Sequence, residues 1–392
     1  MKILLTGAAG FIGTHVRGLL EAHGHDVLCV DSYEPQVHGN AVRADAYSVS
    51  EFLEMSFTIP EVDVVVHLAA RVGVMQSQYE VSNYVQGNVA QTAALLDAYV
   101  VARRCRRFIV ASSMSIYGEG SYWVSDATRS YQANGHIVRD IERGWDGFAH
   151  AATLSGEPNE AWNIAVGATF RPTTTPETKR AEPASVYALT KYDQERYTRI
   201  VGAAYGIETV ALRFFNTYGE GQALANPYTG VLAQFACRVL NGKPPLVYED
   251  GQQTRDFIHV SDVAWAVVAS VETPLLDGVY NVCTGVSTSV GELAALWCTI
   301  ARERGLAEVE PDILHTYRAG DVRHCVGDPL ALERATRSDM QTGWRAEVEL
   351  VDGLRRTADW ILENHFHIDV PEDNSAQASE ELRAHGLERG KV

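Results

Sequence analysis

The sequence predicts an α/β fold, a doubly wound parallel sheet with a smaller α/β unit after it. Three observations carry that prediction. Short β-branched runs at 3–6, 27–31, 62–70 and 107–113 lack in–out alternation, as strands buried on both faces do. Between them lie segments of helical period, at 11–22 and 83–103. The chain has 392 residues, 46% hydrophobic and 21% charged, enough to bury such a sheet and a second unit. Strands alternating with helices of this length make right-handed βαβ units. The rhythm resumes with a helix over 185–205 and a strand over 208–216.

Residues 1–120 and 176–221 are thus expected to form the sheet domain. Over 121–175 the rhythm breaks: Trp123, Trp145 and Trp162 stand among glycines with no clear period. Three tryptophans are too many for a solvated linker, so an ordered insertion is expected, a lid or an oligomer contact. From Gln222 onward Gly and Pro become frequent, and 222–365 is expected as the smaller unit. After Ile368 the chain turns polar, so 366–392 is expected to be a frayed tail.

Asp and Glu outnumber Lys and Arg 50 to 33, a net charge of −17, which argues against nucleic acid and anionic membrane surfaces. A small anionic ligand is still possible, because a few arginines in a cleft outweigh a distant acidic surface. The cysteines (Cys29, Cys105, Cys237, Cys283, Cys298 and Cys325) are far apart with no Cys-x-x-Cys, and are expected as reduced core thiols of a cytoplasmic protein. The apolar start breaks at Gly7, too early for a signal peptide, and no run suits a membrane span.

Gly7-Ala8-Ala9-Gly10-Phe11-Ile12-Gly13 follows the first strand and opens the first helix. Gly7 permits the tight turn, Gly10 lets backbone approach a pyrophosphate, and Gly13 allows close packing of the helix. The phosphates then meet free N–H groups at a helix N-terminus. This is the Rossmann dinucleotide fingerprint in its proper context. The second strand ends at Asp31, where a carboxylate accepts from both ribose hydroxyls and repels a 2′-phosphate, so NAD is expected rather than NADP. Ser32 sits beside it. Asp45 lies in a loop that reaches toward the adenine. Leu68, Ala69 and Ala70 end a strand with small residues, leaving room beside the nicotinamide ribose, and Asn88 is placed to hold neighbouring backbone.

Tyr187 and Lys191 stand at i and i+4, one turn apart on one helix face. A Lys charge stabilises phenolate, so the Tyr187 pKa is expected to fall from about 10 toward neutrality. Lys191 also suits the nicotinamide ribose. Ser113, in Ser112-Ser113-Met114-Ser115-Ile116-Tyr117-Gly118, ends an earlier strand, where this architecture binds ligands, and its hydroxyl can share a proton relay with Tyr187.

Together these residues resemble the extended short-chain dehydrogenase/reductase family of nucleotide-sugar epimerases and dehydratases, over about 1–120 and 176–360. The resemblance implies that Tyr187 is the acid/base, Lys191 its activator and Ser113 the relay hydroxyl. Arg213-Phe214-Phe215-Asn216-Thr217-Tyr218-Gly219, Arg255-Asp256-Phe257-Ile258-His259-Val260 and Arg318-Ala319-Gly320-Asp321 look like its sugar-nucleotide segments. By that likeness Asn216, Arg255 and Arg318 contact the diphosphate, and Tyr248 stacks on the base. Ser77, Ser115, Val231 and Asp321 are further substrate contacts. A homodimer through the helices bearing Asn88 and Tyr187 is also implied.

Dehydratases of the family carry an Asp-Glu pair after the relay residue, where this chain has Met114 and Ser115. The minimal Ser/Tyr/Lys set suits one reversible oxidation. The reaction it implies is 4-epimerisation: C4 is oxidised, the 4-keto sugar turns over, and hydride returns to the other face. A finer resemblance, to the dTDP-L-rhamnose 4-epimerase branch, rests on residues 31–39, 112–120, 226–231 and 317–325. UDP-hexose or UDP-uronate epimerases and related dehydratases or reductases are the alternatives. No cysteine lies between Cys105 and Cys237, so a cysteine-based zinc site in the insertion is excluded and no metal is expected.

Overall fold

The computed structural model describes residues 1–38, 46–55, 59–125, 130–133, 169–224, 230–318, 321–337, 343–365 and 375–389. Its main sheet has six strands: β1 (Lys2–Thr6), β2 (Asp26–Val30), β3 (Val64–His67), β4 (Arg107–Ser113), β5 (Glu208–Phe214) and β6 (Gly278–Val282). They lie in the order β6-β5-β4-β3-β1-β2, and every pairing is parallel. From β1 the chain runs outward to β2, then jumps back to β3 on the other side. That reversal opens a crevice at the C-terminal strand ends.

Both faces are covered, which is why the strands lack alternation. On one face α1 (Phe11–Ala22) and α3 (Val260–Glu272) bury Val16, Leu20, Val263 and Val267 against Ile3, Leu5 and Ile109. On the other, Leu95, Tyr99 and Val100 pack on Leu4, Val65 and Phe108. They belong to a helical run from Val81 to Val101 that includes π-helical turns at Val85–Ala90 and Leu96–Val101. Beside it lies α2 (Val186–Tyr205), which starts where the Ser185 hydroxyl accepts from the Ala188 N–H and stops at left-handed Gly206.

β6 and α3 come from 260–282, inside the stretch expected to belong wholly to the smaller unit. Right-handed crossover returns this segment to the main sheet. The expected strand over 208–216 also divides: after β5 the Phe215 N–H bonds to Val282 O, and Asn216–Tyr218 pairs instead with Phe257–His259. The smaller unit packs helices Val231–Leu240, Val290–Glu303 and Leu350–His365 around Phe235, Trp297, Leu354 and Ile361.

The insertion begins and ends as sheet. Ser121–Ser125 pairs antiparallel with Ser130–Ala133 and Thr169–Thr175, and the last runs parallel to His324–Gly327 of the smaller unit. Trp123 is 46% exposed, so it does not anchor a core there. Trp145 and Trp162 lie outside the described residues. The tail differs from expectation. Ser375–Ala384 is a helix with Leu382 buried, and Glu388–Arg389 pairs antiparallel with Tyr317–Arg318. One well-placed apolar residue with a glycine stop at Gly386 lets a polar segment dock. All six cysteines are free thiols, but Cys29 is exposed rather than in the core. Among the described residues no helix is long and apolar enough to cross a membrane.

Candidate active site

A cleft of about 730 Å³ runs along the C-terminal strand ends and between the two units. Its lining includes Gly7, Gly10, Phe11, Ile12, Gly13, Asp31, Ser32, Leu68, Ala69, Ala70, Ser113, Tyr187 and Lys191, with Tyr248 and Asp321 from the smaller unit. Gly7, Asp31, Leu68 and Ser113 converge here because they stand at or just after the ends of parallel strands, while α2 brings Tyr187 and Lys191 across from the covering layer.

At the nucleotide end Gly7 turns with φ +72° after β1. A Cβ on Gly13 would lie 1.9 Å from Gly7 O, so the glycine lets α1 close on the loop carbonyl rather than on a strand. The Asp31 carboxylate accepts from the N–H groups of Ala9 at 2.9 Å and Tyr33 at 2.8 Å, which fixes it beside the glycine loop. A loop that side chains cannot enter, a helix N-terminus and a facing carboxylate fit a dinucleotide.

At the other end the Ser113 hydroxyl lies beside the Tyr187 phenol and acts to lower its pKa. The Ser115 hydroxyl donates to Ser113 Oγ at 2.9 Å, so Ser115 acts through Ser113 and does not itself line the cleft. Lys191 is buried and its Nζ donates to Ala111 O at 2.9 Å. Burial pulls the Lys191 pKa down to about 7. Tyr187 is shifted up, not down as the sequence suggested. Burial dominates it, and the neighbouring Ser113 hydroxyl opposes only part of that rise.

A buried polar network supports this end. Asn88 Oδ1 accepts from the Arg71 N–H at 2.7 Å and its Nδ2 donates to Arg71 O and Thr190 Oγ1, so it clasps backbone and does not line the cleft. Thr190 donates to Tyr187 O at 2.9 Å. The Thr92 hydroxyl donates to Asn88 O, leaving His67 Nε2–H to donate to Thr92 and Nδ1 to accept from Thr6. Burial holds His67 down to about 3, consistent with that neutral ring.

Several expected substrate residues are elsewhere. Ser77 is fully buried; its Oγ donates to Val74 O at 2.6 Å and accepts from the Tyr187 N–H at 2.9 Å. Arg255 is turned to the carbonyls of Thr254, Val322 and Arg323. Asn216 and Val231 are also missing from the lining, though the Asn216 Oδ1 is buried with no hydrogen-bond partner. Arg213 forms a buried pair with Glu195 at 2.6 Å and donates to Tyr117, a brace behind the site. Asp45, most of 226–231 and the Arg318 side chain lie outside the described residues.

Sequence reasoning missed Gln222 and Arg238. Both line the cleft, and Gln222 Oε1 is buried with no hydrogen-bond partner. Arg238 shares a helix face with Gln234, one turn earlier, a spacing that was visible in the sequence.

The profile of the NAD dependent epimerase/dehydratase family matches residues 3–136 and 164–283. The chain belongs to that family. It is an NAD-dependent enzyme, an epimerase. Similar to it is the dTDP-L-rhamnose 4-epimerase of Burkholderia thailandensis, 32% identical over 92% of this chain and 95% of that protein. A putative UDP-glucose 4-epimerase of Methanocaldococcus jannaschii is 27% identical over 93% of this chain and 99% of its own. Among solved structures, the UDP-glucose 4-epimerase of Thermotoga maritima with UDP-glucose superposes with TM-score 0.68 at 26% identity, covering 93% of this chain and 99% of that one. The Thermus thermophilus UDP-glucose 4-epimerase in complex with NAD gives 0.66 at 27%, covering 93% and 100%.

Proposed function

We propose that the enzyme inverts C4 of a nucleotide-diphosphate sugar, with a dTDP-6-deoxyhexose such as dTDP-L-rhamnose as substrate. The observation that carries this reading is the Ser113–Tyr187 pair beside buried Lys191, followed by Met114 and Ser115 where elimination chemistry needs carboxyl groups. NAD, held by the Gly7–Gly13 loop and Asp31, supplies the hydride acceptor and donor. Tyr187 takes the C4 hydroxyl proton and gives it back, while the Ser113 hydroxyl beside it orients the sugar hydroxyl. Lys191, when protonated, stabilises the phenolate. Arg238 and Gln222 line the part of the cleft left for the rest of the substrate, the first supplying a cation for the diphosphate. The dTDP reading is supported by the higher identity to the dTDP-L-rhamnose enzyme. A second reading, a UDP-hexose 4-epimerase, is favoured by the fit to the Thermotoga and Thermus structures.

A homodimer fits the same picture. Leu189, Tyr197 and Ile200 on α2 and Val81 and Val85 on the adjacent run expose apolar surface along the outer faces of these helices. The test incubates dTDP-L-rhamnose, UDP-glucose and UDP-glucuronate with the enzyme without added cofactor and follows C4 configuration by NMR. Inversion of dTDP-L-rhamnose with no net change at 340 nm is expected; net NADH formation or no inversion of any sugar overturns the reading.

A further inference from the structure

The C-terminal segment reaches the cleft from both sides. Leu382, on helix Ser375–Ala384, is 3% exposed and lines the cleft. On the main-sheet side, the Tyr79 hydroxyl donates to Glu381 Oε2 at 3.1 Å, and the Tyr79 and His385 rings stack at 4.6 Å, nearly parallel at 6°. Beyond the helix the N–H groups of Gly386 and Leu387 cap Arg383 O and Leu382 O, with Gly386 at φ +69°. That reversal sends Glu388–Arg389 to pair with Tyr317–Arg318 of the smaller unit, three residues before cleft-lining Asp321. The segment is therefore a strap across the two walls.

Leu382 does not stand alone in its apolar character. Val72, Val74 and Met75 line the same cleft, and the polar lining residues of their loop are already engaged, Arg71 with Glu34 and Gln76 with Gln36 and Glu80. Their loop is tied to the reacting end, because Ser77 Oγ bonds both Val74 O and the Tyr187 N–H, and Tyr79 of that loop holds the strap. Sugar hydroxyls and carboxylates need hydrogen-bond partners when they leave water, and an apolar wall supplies none. A methyl substituent loses nothing there and gains contact.

We propose that the C-terminal strap completes the sugar-nucleotide site and that Leu382 is a specificity-determining residue, favouring a sugar with a methyl group at C6 over one with a hydroxyl or carboxylate there. This rests on the epimerase reading and names the sugar feature that the cleft selects. The experiment compares kcat/KM of full-length, NAD-loaded enzyme for dTDP-L-rhamnose and dTDP-L-mannose, which differ only by the C6 hydroxyl. The unmodified enzyme is expected to prefer the deoxy sugar by about 10-fold or more. Leu382→Ala should erase most of that preference through dTDP-L-rhamnose with NAD retention unchanged, and Leu382→Met, which restores apolar bulk, should keep it. A preference unmoved by Leu382→Ala while turnover persists overturns the inference and leaves the epimerase reading standing. No C4 inversion by the unmodified enzyme, with either sugar or with UDP-glucose, overturns both.

Discussion

Replacing Lys191 by methionine is expected to stabilise the ligand-free protein while abolishing its chemistry. Burial takes the Lys191 pKa from 10.5 to about 7. At about 1.4 kcal/mol per unit, that shift costs the fold roughly 5 kcal/mol wherever the group is protonated in both states. Between these two pKa values the unfolded chain binds the extra proton, so stability rises with pH across that window. The cost is full below about pH 7 and gone above 10.5; at pH 9 roughly 2 kcal/mol remains. Methionine fills the same space but leaves Ala111 O without its donor at 2.9 Å, a loss of about 1–3 kcal/mol that does not vary with pH. The stability gap between variant and parent should therefore shrink by about 3 kcal/mol from pH 6 to pH 9. Urea unfolding of the NAD-free proteins at the two pH values measures it. A gap of equal size at both would refute the reasoning, because it would mean Lys191 is not titrating from a desolvated state.

Tyr187→Phe should cut turnover by about 10²–10⁴-fold, the range of a lost acid/base, with bound NAD retained as read by nucleotide release on denaturation. Gly13→Ala should strip the cofactor or unfold the loop, since its methyl would meet Gly7 O at 1.9 Å; NAD content after purification checks this. Gln222→Leu should raise KM for the sugar nucleotide severalfold more than it lowers kcat, because it removes a polar side chain from the cleft lining without touching Ser113, Tyr187 or Lys191.

The main sheet was legible because burial on both faces imposes a pattern that local sequence carries: β4 and α1 fall on the residues expected, Arg107–Ser113 and Phe11–Ala22. The glycine loop was legible for a related reason. A backbone carbonyl 1.9 Å from a would-be Cβ tolerates only glycine, and that constraint is written at one position. Tyr187, Lys191 and Ser113 were legible as types and spacing, and the fold brings them to one cleft. Their proton affinities were not. The i, i+4 spacing suggests a lysine lowering a tyrosine, whereas desolvation, a property of everything packed around them, dominates both groups.

The same division holds for the substrate side. Arg255 has the right chemistry for a diphosphate, but in the folded chain its guanidinium satisfies three carbonyls instead. Gln222 carries no special motif and becomes notable only because burial leaves its oxygen unpartnered. Strand membership of 278–282 and the docking of Leu382 likewise depend on partners more than 60 residues away in the chain. Alone, the sequence determined what is local: the strand and helix periods, the glycine turn, the helical pairing of Tyr187 with Lys191, and the carboxylate at the end of β2. Tertiary structure decided which side chains reach the cleft, what charge they hold there, and that a polar tail forms part of its wall, because desolvation and long-range pairing are properties of the packed chain and not of any segment.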